Sequence, residues 1–292
     1  MKQTVIGIDV GGSTTKIVGF HRDSLGLPQL IHPLFVRATD PVTAMYGAFG
    51  RFTTENGISL SEVECIMTTG VGSSFMQQPI YGLKCLTVPE FSSIGRGGLY
   101  LSGLSEAIVI SMGTGTALVH AKAKQDERGT PQVAGENDVE IAYLGGTGVG
   151  GGTMLGLTKL LTGVGTIEHI EHLCESGNLA NIDLRVGDIS KKSFREMSDN
   201  LTASNFGRVS DLATPSDLAL GVANMVAETI AMMAIFAARS FGIHDIVLIG
   251  NLSSITPVRS VFETLGPSFD VNFIIPENSQ FGTVIGAALN DN

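Results

Sequence analysis

Cysteine is scarce in this sequence, and its placement argues against covalent or metal cross-links. Cys65, Cys85 and Cys174 are the only cysteines among 292 residues, and no two of them form a C-x-x-C pair. An odd number of widely spaced cysteines suits neither a disulfide framework nor a zinc site. Because free thiols persist in a reducing compartment, we expect a cytoplasmic protein.

Basic charge is also in short supply. Eighteen lysines and arginines stand against 28 acidic residues, which gives a formal net charge of −10. No basic run occurs that could neutralise a row of phosphates. Nucleic acid is therefore not an expected partner.

Long uninterrupted apolar runs are few as well. Asp9 breaks the apolar stretch near the N-terminus before it reaches the length of a signal peptide. The most apolar segment, residues 218–242, carries Asn224 and Glu228 near its middle, which predicts a buried interdomain or dimer helix and no membrane partner. A helix-capping signature precedes this segment, formed by Thr214, Pro215 and Asp217.

Glycine is the residue in excess, with 37 copies gathered in short clusters between apolar runs. Glycine clusters of this kind let the backbone approach a ligand closely. Hydrophobic residues make up 43% of the chain and charged residues 16%, a balance typical of a folded protein. A chain of this length is long enough to form two hydrophobic cores, so we expect two lobes.

Strands alternate with helical patterns along the chain, which predicts an α/β fold. Residues 41–55 and the segment "FGTVIGAAL" from residue 281 have helical patterns. The segment "VECIMTTG" from residue 63 predicts a strand that ends in a glycine turn, and "GLKCLTVPE" predicts another strand running up to Glu90.

Two distant segments share one pattern of strand, glycine turn and strand. They are "TVIGIDVGGSTTKIVGF" from residue 4 and "AIVISMGTGTALVHAKA" from residue 107. Superposing their turns places Asp9 over Ser111. We interpret this match as a weak internal duplication, in which each lobe opens with a hairpin whose turn faces a shared cleft.

The first of these turns predicts a phosphate-binding nest. Successive backbone N–H groups freed of side chains bind phosphate oxygens, and here Gly11, Gly12, Ser13 and Thr14 would supply them. Asp9 would repel a phosphate unless a cation lay between them, and Mg²⁺ resolves that conflict. Lys16 would add positive charge if it turns inward. The alternative is a structural hairpin with a surface aspartate.

A further glycine loop, residues 145–152, contains a formal G-x-G-x-x-G at Gly146, Gly148 and Gly151 and leads into a helical pattern. A nicotinamide dinucleotide is one candidate ligand, but no acidic residue stands at the spacing that a ribose contact needs. ATP is favoured, because the N-terminus of a helix attracts phosphate.

The motifs together resemble those of the ATPase superfamily of sugar kinases, heat-shock proteins and actin. Within it, the sequence most resembles the type II pantothenate kinases. The motifs that carry this resemblance follow the family order over nearly the whole chain: "PEF" at 89–91, "GGTGVGGGTMLGLTKLL" at 145–161, "IDLRVGDI" at 182–189, "LTASNFG" at 201–207 and the terminal "FGTVIGAAL".

The resemblance implies two actin-like, ribonuclease H-like lobes around a central nucleotide cleft. Residues 1–103 would form the lobe with the phosphate hairpin and the catalytic glutamate, and residues 104–292 the lobe with the nucleotide loop and the dimer helix. It also implies a homodimer that transfers the γ-phosphate of ATP, with Mg²⁺, to the terminal hydroxyl of pantothenate, the first step toward coenzyme A.

The same resemblance assigns residues by position. Glu90 matches the family's catalytic glutamate, and Asp9 matches its magnesium-linked aspartate. The implied ATP-binding residues are Gly11, Gly12, Ser13, Thr14, Lys16, Gly113, Thr114, Gly115, Thr116, Gly146, Gly148, Gly150, Gly151, Gly250 and Asn251.

One position departs from the family pattern. Where the family usually has an arginine that helps to hold the acidic substrate, just before the third glycine loop, this sequence has Tyr143. An anionic acceptor without a cationic partner is poorly compensated. Arg96 could serve as a substitute, or it could be a solvated surface residue. Tyr143 and Arg96 are both candidate substrate residues.

Several alternatives stay open. His169, His172 and Cys174 could ligate a metal, although a polar helix face is the simpler interpretation. No G-x-S-x-G elbow supports a hydrolase. The same fold could phosphorylate pantetheine or a sugar, or activate a dehydratase through an iron–sulfur cluster, or bind a nucleotide without catalysis. Asn205 and Phe206 could border the cleft or cap a helix.

Overall fold

The computed structural model describes residues 4–11, 14–22, 28–37, 40–75, 79–125, 131–132, 138–189, 199 and 201–290. The strands are β1 Thr4–Val10, β2 Thr15–Arg22, β3 Pro28–Val36, β4 Val63–Thr69, β5 Cys85–Thr87, β6 Glu106–Met112, β7 Thr116–Gln125, β8 Pro131–Gln132, β9 Val139–Thr147, β10 Leu184–Arg185, β11 Thr202–Ser204, β12 Asp245–Ile249 and β13 Asn272–Ile274. The helices are α1 Pro41–Glu55, α2 Glu90–Ser102, α3 Gly151–Thr162, α4 Ile167–Cys174, α5 Val186–Ile189, α6 Pro215–Phe241, α7 Thr256–Phe269 and α8 Gly282–Ala288. The predicted α/β class is confirmed.

The two large sheets have the same topology. Their strand orders are β3-β2-β1-β4-β5 and β9-β7-β6-β12-β13, with the short β8 pairing the far end of β7. In each sheet a central antiparallel hairpin is extended by one antiparallel strand on one side and by two parallel strands on the other. This match supports the internal duplication that the sequence predicts.

The first sheet forms around a hairpin of nearly continuous apolar residues. Ile6 and Ile8 of β1 are fully buried and pack against the inward face of α1, which presents Phe49 and Phe52. Helix α1 begins where the Asp40 carboxylate accepts a hydrogen bond from the backbone N–H of Thr43 at 2.7 Å. Its bounds are those predicted from the sequence.

Helices α2 and α8 each pack on the sheet formed by the other part of the chain. Helix α2 packs on β6, β7, β9 and β12 of the second sheet, whereas the C-terminal α8 packs on β1, β2 and β4 of the first. The two helices also pack closely against each other, because Gly97 and Gly286 lie where they cross. Each of the two predicted lobe segments, residues 1–103 and 104–292, thus contributes a helix that packs on the other segment's sheet.

Helix α6 begins with the predicted capping box. The Thr214 hydroxyl accepts from the Asp217 N–H, and the Asp217 carboxylate accepts from the Thr214 N–H at 2.8 Å. By length and composition this helix could cross a bilayer, but 61% of its most apolar window is buried inside the structure. It packs against α3, α4, α7 and the second sheet.

The polar residues within α6 hold the segment that precedes it. Asn224 donates to Asp183 at 2.9 Å, and Glu228 accepts hydrogen bonds from Thr202 at 2.6 Å and from Asn205 at 2.7 Å. Asn205 therefore neither caps a helix nor lines the cleft described below. The motif "LTASNFG" instead connects β11 to α6 through these hydrogen bonds.

Candidate active site

A cavity of about 620 Å³ lies between the two lobes, where the turns of the β1–β2 and β6–β7 hairpins face each other. The structure brings most of the predicted site residues to this cavity. Its lining includes the predicted residues Asp9, Gly11, Thr14, Lys16, Glu90, Gly113, Thr114, Gly115, Thr116, Tyr143, Gly146, Gly148, Gly250 and Asn251. Gly12 and Ser13 lie outside the described residues.

The β1–β2 hairpin places a carboxylate and an amine across from each other. Asp9 and Lys16 are partners in the strand register, and Lys16 is almost fully buried. The Lys16 ammonium donates to the carbonyl oxygen of Gln280 at 2.6 Å, so the hairpin is tied to the segment that leads into α8. Lys16 thus turns inward, as the phosphate-loop interpretation requires.

Burial shifts both members of this pair toward their neutral forms. Desolvation raises the pKa of Asp9, and the nearby Lys16 charge opposes that rise. Desolvation likewise lowers the pKa of Lys16, and Asp9 opposes the change. A buried carboxylate whose pKa is raised by desolvation gains from a bound cation, because the cation supplies the compensation that water no longer provides.

The second hairpin turn and the third glycine loop are hydrogen-bonded to each other. The N–H of Gly151 donates to the Gly113 carbonyl, and the N–H of Gly152 donates to the Thr114 carbonyl, both at 2.9 Å. The Thr116 hydroxyl donates to the Val149 carbonyl at 2.9 Å. These contacts place the N-terminus of α3 beside the cavity, where its dipole favours a phosphate.

Glycine is required where these two loops meet. A Cβ on Gly146 would lie 2.5 Å from the Thr116 carbonyl oxygen, and one on Gly150 would lie 2.7 Å from that of Thr114. Gly150 and Gly151 were predicted to contact the nucleotide, but they do not line the cavity. They hold the loop against the hairpin turn instead.

Glu90 stands at the edge of the cavity as the first residue of α2. The sequence predicted a strand running up to this residue, but β5 ends at Thr87, so Glu90 opens a helix rather than closing a strand. Its side chain is accessible from the cavity. Desolvation raises the pKa of Glu90, and the negative charge of Asp9 raises it further. A carboxylate with a raised pKa is a stronger proton acceptor.

Of the two candidate substrate residues, only Tyr143 lies at the cavity. Tyr143 lines the cavity, and its ring stacks on that of Phe91 with centroids 3.9 Å apart and an interplanar angle of 13°. The structure does not bring Arg96 to the cavity, because its side chain is fully buried within α2. This corrects the prediction that Arg96 is available to an acceptor.

The sequence reasoning missed several residues that line the cavity: Gly70, Val71, Ser111, Ala117, Thr147 and Thr283. Gly70 is the most informative. It has a φ of +84°, and a Cβ there would lie 2.5 Å from the Asp9 carboxylate oxygen. The signal in the sequence is the glycine turn that ends β4.

Other candidate sites receive no support. His172 pairs with Glu175 and is largely exposed, whereas Cys174 is buried, and no group of three or more metal-ligating side chains occurs in the described part of the chain. A larger cavity, of about 830 Å³, lies between α4, α6 and α7; His172 and Cys174 line it, but none of the residues predicted to bind ATP, the acceptor or Mg²⁺ does. The candidate site is therefore distinguished by its glycine loops, not by size.

Comparison with known proteins decides the family. The Fumble family model matches residues 129–273. A type II pantothenate kinase of Bacillus cereus strain G9842 is 30% identical over 258 residues, which cover 85% of this chain and 84% of that protein. The chain belongs to the type II pantothenate kinase family. Membership supports a kinase of the pantothenate and coenzyme A pathway.

Solved structures agree on the fold. The activator of the 2-hydroxyisocaproyl-CoA dehydratase from Clostridium difficile, with bound ADPNP, aligns over 98% of this chain and 93% of its own, with a TM-score of 0.61 and 14% identity. A ROK family glucokinase from Streptomyces griseus, in complex with glucose and AMPPNP, aligns over 98% of both chains, with a TM-score of 0.54 and 14% identity. The predicted actin-like fold is confirmed.

The geometry of this pantothenate kinase family member fits a nucleotide and a divalent cation. Backbone from two glycine loops forms one wall, with no Cβ to block a phosphate at Gly113 or Gly148. Asp9 is the carboxylate nearest the first loop, and one or two carboxylates together with phosphates suffice for Mg²⁺. The fit supports ATP and leaves Asp9 as the residue that would hold the metal.

Proposed function

We propose that this protein phosphorylates the terminal hydroxyl of pantothenate with ATP, the first step of coenzyme A biosynthesis, in the cytoplasm and as a homodimer. The observation that carries the proposal is the single cavity into which both phosphate hairpins, Asp9 and Glu90 project. A kinase needs its phosphate cradle, its metal ligand and its base within reach of one reacting atom.

Binding and orientation of ATP are assigned to the backbone. Gly11 and Thr14 of the first turn, residues 113–116 of the second turn and residues 146–148 of the third loop line the cavity and would present main-chain groups to the phosphates. The N-terminus of α3 adds a favourable dipole. Mg²⁺ held by Asp9 would neutralise charge on the phosphates. Lys16, fixed by Gln280, contributes a buried positive charge beside the same turn.

Proton transfer is assigned to Glu90. Its carboxylate takes the proton of the acceptor hydroxyl while the hydroxyl oxygen forms a bond to the γ-phosphorus. The bond between the γ-phosphorus and the bridging oxygen breaks, and ADP leaves with the electron pair. Glu90 is suited to this role because burial and Asp9 raise its pKa.

The alternative of a dehydratase activator finds no support in the cysteines. An iron–sulfur cluster shared between two subunits needs cysteines at the surface, but Cys65 and Cys174 are buried and Cys85 is half-buried in the edge strand β5. The lack of a brown colour and of visible absorbance in anaerobically purified protein would agree with the kinase proposal.

The direct test is ADP release coupled to a spectroscopic assay, with pantothenate, pantetheine, glucose and N-acetylglucosamine supplied in parallel. We expect turnover with the two pantoyl compounds and none above background with the sugars. Preferential turnover of a sugar, or cleavage of ATP that is independent of every acceptor, would overturn the proposal.

A variant links this activity to the cavity. Glu90→Gln should bind ATP nearly as well as the parent but turn over about 10² to 10⁴ times more slowly, because the amide cannot accept the proton. Glu263→Gln is the matched control, since Glu263 is exposed on α7 away from the cavity. Equal turnover in Glu90→Gln and the parent would remove Glu90 from the mechanism.

A further inference from the structure

Two aromatic rings stack beside the candidate base: Tyr143 lines the cavity, and Phe91, which does not line it, packs on the ring of Tyr143. Phe91 follows Glu90 in the first turn of α2, and Tyr143 lies on β9. Their rings are nearly parallel, with centroids 3.9 Å apart, yet Phe91 is 38% exposed and Tyr143 is 51% exposed. An exposed aromatic pair beside a cavity stabilises no core and is typical of a surface that binds a ligand.

The position of the pair identifies which substrate it meets. Glu90 must reach the acceptor hydroxyl, so the residue next to it lies on the acceptor side of the cavity. The Tyr143 hydroxyl lies 3.1 Å from where a Cβ on Gly146 would be, so the missing side chain leaves room for the phenol. The aromatic surface therefore runs from the base toward the third glycine loop.

The charges around this surface disfavour an anion. Asp9 and Glu90 are the acidic groups of the cavity, and among the described residues that line it Lys16 is the only cation. The charge of Lys16 already interacts with that of Asp9, and its ammonium donates a hydrogen bond to the Gln280 carbonyl. Arg96 is fully buried and does not line the cavity. A carboxylate resting on the aromatic pair would lose water without gaining a cation.

We propose that the stacked pair Phe91 and Tyr143 forms the wall of the acceptor site and selects pantothenate derivatives with an uncharged far end, such as pantetheine, over pantothenate itself. This inference rests on the proposed function, because it concerns the same hydroxyl and the same phosphoryl transfer. The amide and alkyl groups of a neutral derivative can lie on the rings, and they escape repulsion by the two carboxylates.

The test compares acceptors that differ in charge at one end. Pantothenyl alcohol replaces the carboxylate of pantothenate with a neutral CH₂OH group of similar size. We expect kcat/KM for pantothenyl alcohol and for pantetheine to exceed that for pantothenate by about tenfold or more, mainly through KM. A kcat/KM for pantothenate equal to or above both would overturn this inference and leave the proposed function intact. Turnover of none of the three would overturn both.

Two variants separate charge from stacking. Tyr143→Arg should reverse the preference toward pantothenate, since a guanidinium can lie over Phe91 and also pair with a carboxylate. Tyr143→Leu should raise KM for all three acceptors by a similar factor, because it removes the stack without adding charge. Leu60→Arg adds the same charge at an exposed position away from the cavity and should leave the ratio unchanged. An unchanged ratio in Tyr143→Arg would contradict the proposal.

Discussion

At the scale of single residues, the site depends on two carboxylates that act on each other. Asp9 and Glu90 come from different elements, and the charge of Asp9 adds to the desolvation that raises the pKa of Glu90. A bound cation beside Asp9 would reduce that repulsion. In the proposed mechanism, binding of Mg²⁺ by Asp9 would therefore lower the pKa of Glu90.

The raised pKa of Glu90 predicts the acid limb of the pH profile. A base works only when deprotonated, so kcat/KM should rise with pH through a midpoint above 4.5, the ordinary value for a glutamate. Titration of the Glu90 carboxyl carbon by NMR in the metal-free protein should also give a midpoint above 4.5. Asp9→Asn should lower that midpoint, because it removes a negative neighbour. A Glu90 midpoint at or below 4.5 in the parent would refute this assignment.

Gly70 predicts a second effect on the same pair. Gly70→Ala should reduce kcat/KM by about 10- to 100-fold, because a methyl group 2.5 Å from the Asp9 oxygen displaces that carboxylate. Gly82→Ala is the matched control, since Gly82 has a similar φ of +77° but no atom within 4 Å of a Cβ. The control should lose about 1–2 kcal/mol of stability and keep its activity. Equal kinetics in the two variants would exclude the Asp9 contact as the cause.

At the scale of elements, the start of α6 is the best-defined local structure. Asp217 accepts hydrogen bonds from the N–H groups of Thr214 and Asn178, at 2.8 and 2.7 Å, and from the Asn181 amide. These bonds, above all that from Thr214, lower the pKa of Asp217 to about 2. The carboxylate thus joins the long helix to the segment that precedes it.

Asp217→Ala should destabilise the protein by about 1–3 kcal/mol at neutral pH, because the N–H groups of Thr214 and Asn178 lose the carboxylate that accepts their hydrogen bonds. Because the folded-state pKa is lowered, this contribution is present above the ordinary value of 3.8 and is lost as the pH falls through about 2. In urea unfolding, the difference in the free energy of unfolding between parent and variant should therefore decrease as the pH is lowered. Asp211→Ala, at an exposed position, should have the same free energy of unfolding as the parent at every pH.

At the scale of the whole molecule, the contact between α2 and α8 holds the two sheets together. It depends on the absence of side chains, since a Cβ on Gly97 would overlap the carbonyl oxygen of Gly282, and one on Gly286 would overlap that of Ser93. Because Glu90 begins α2, a shift of this helix also displaces the candidate base.

Gly97→Ala should lower stability by more than about 2 kcal/mol and reduce turnover, because the two helices must separate to admit the methyl group. Gly47→Ala provides the matched control. Gly47 lies on the exposed face of α1 with no atom within 4 Å of a Cβ, so its substitution should stabilise by about 0.5–1 kcal/mol. Thermal unfolding and the ADP-release assay measure both effects, and equal stability in the two variants would show that the helices can adjust.

The sequence predicted the local structures that depend only on residues close together in the chain. Apolar runs on both sides of "DVGG" and "MGTG" predicted both hairpins, and the cap at Thr214 predicted the start of α6, because these signals act between residues a few positions apart. The motif order and the spacing of the glycine loops indicated the family. Most of the cavity lining follows from these local elements.

Only the tertiary structure decided how distant segments meet. In the folded protein α2 packs on the second sheet and α8 on the first, Arg96 is buried, and the ring of Phe91 stacks on that of Tyr143. None of these outcomes has a local signal, because each depends on the free energy of packing between elements far apart in the chain. The sequence by itself therefore determined a framework of glycine loops with one carboxylate beside it, and the packing of α2 against the second sheet determined which side chains lie beside Glu90.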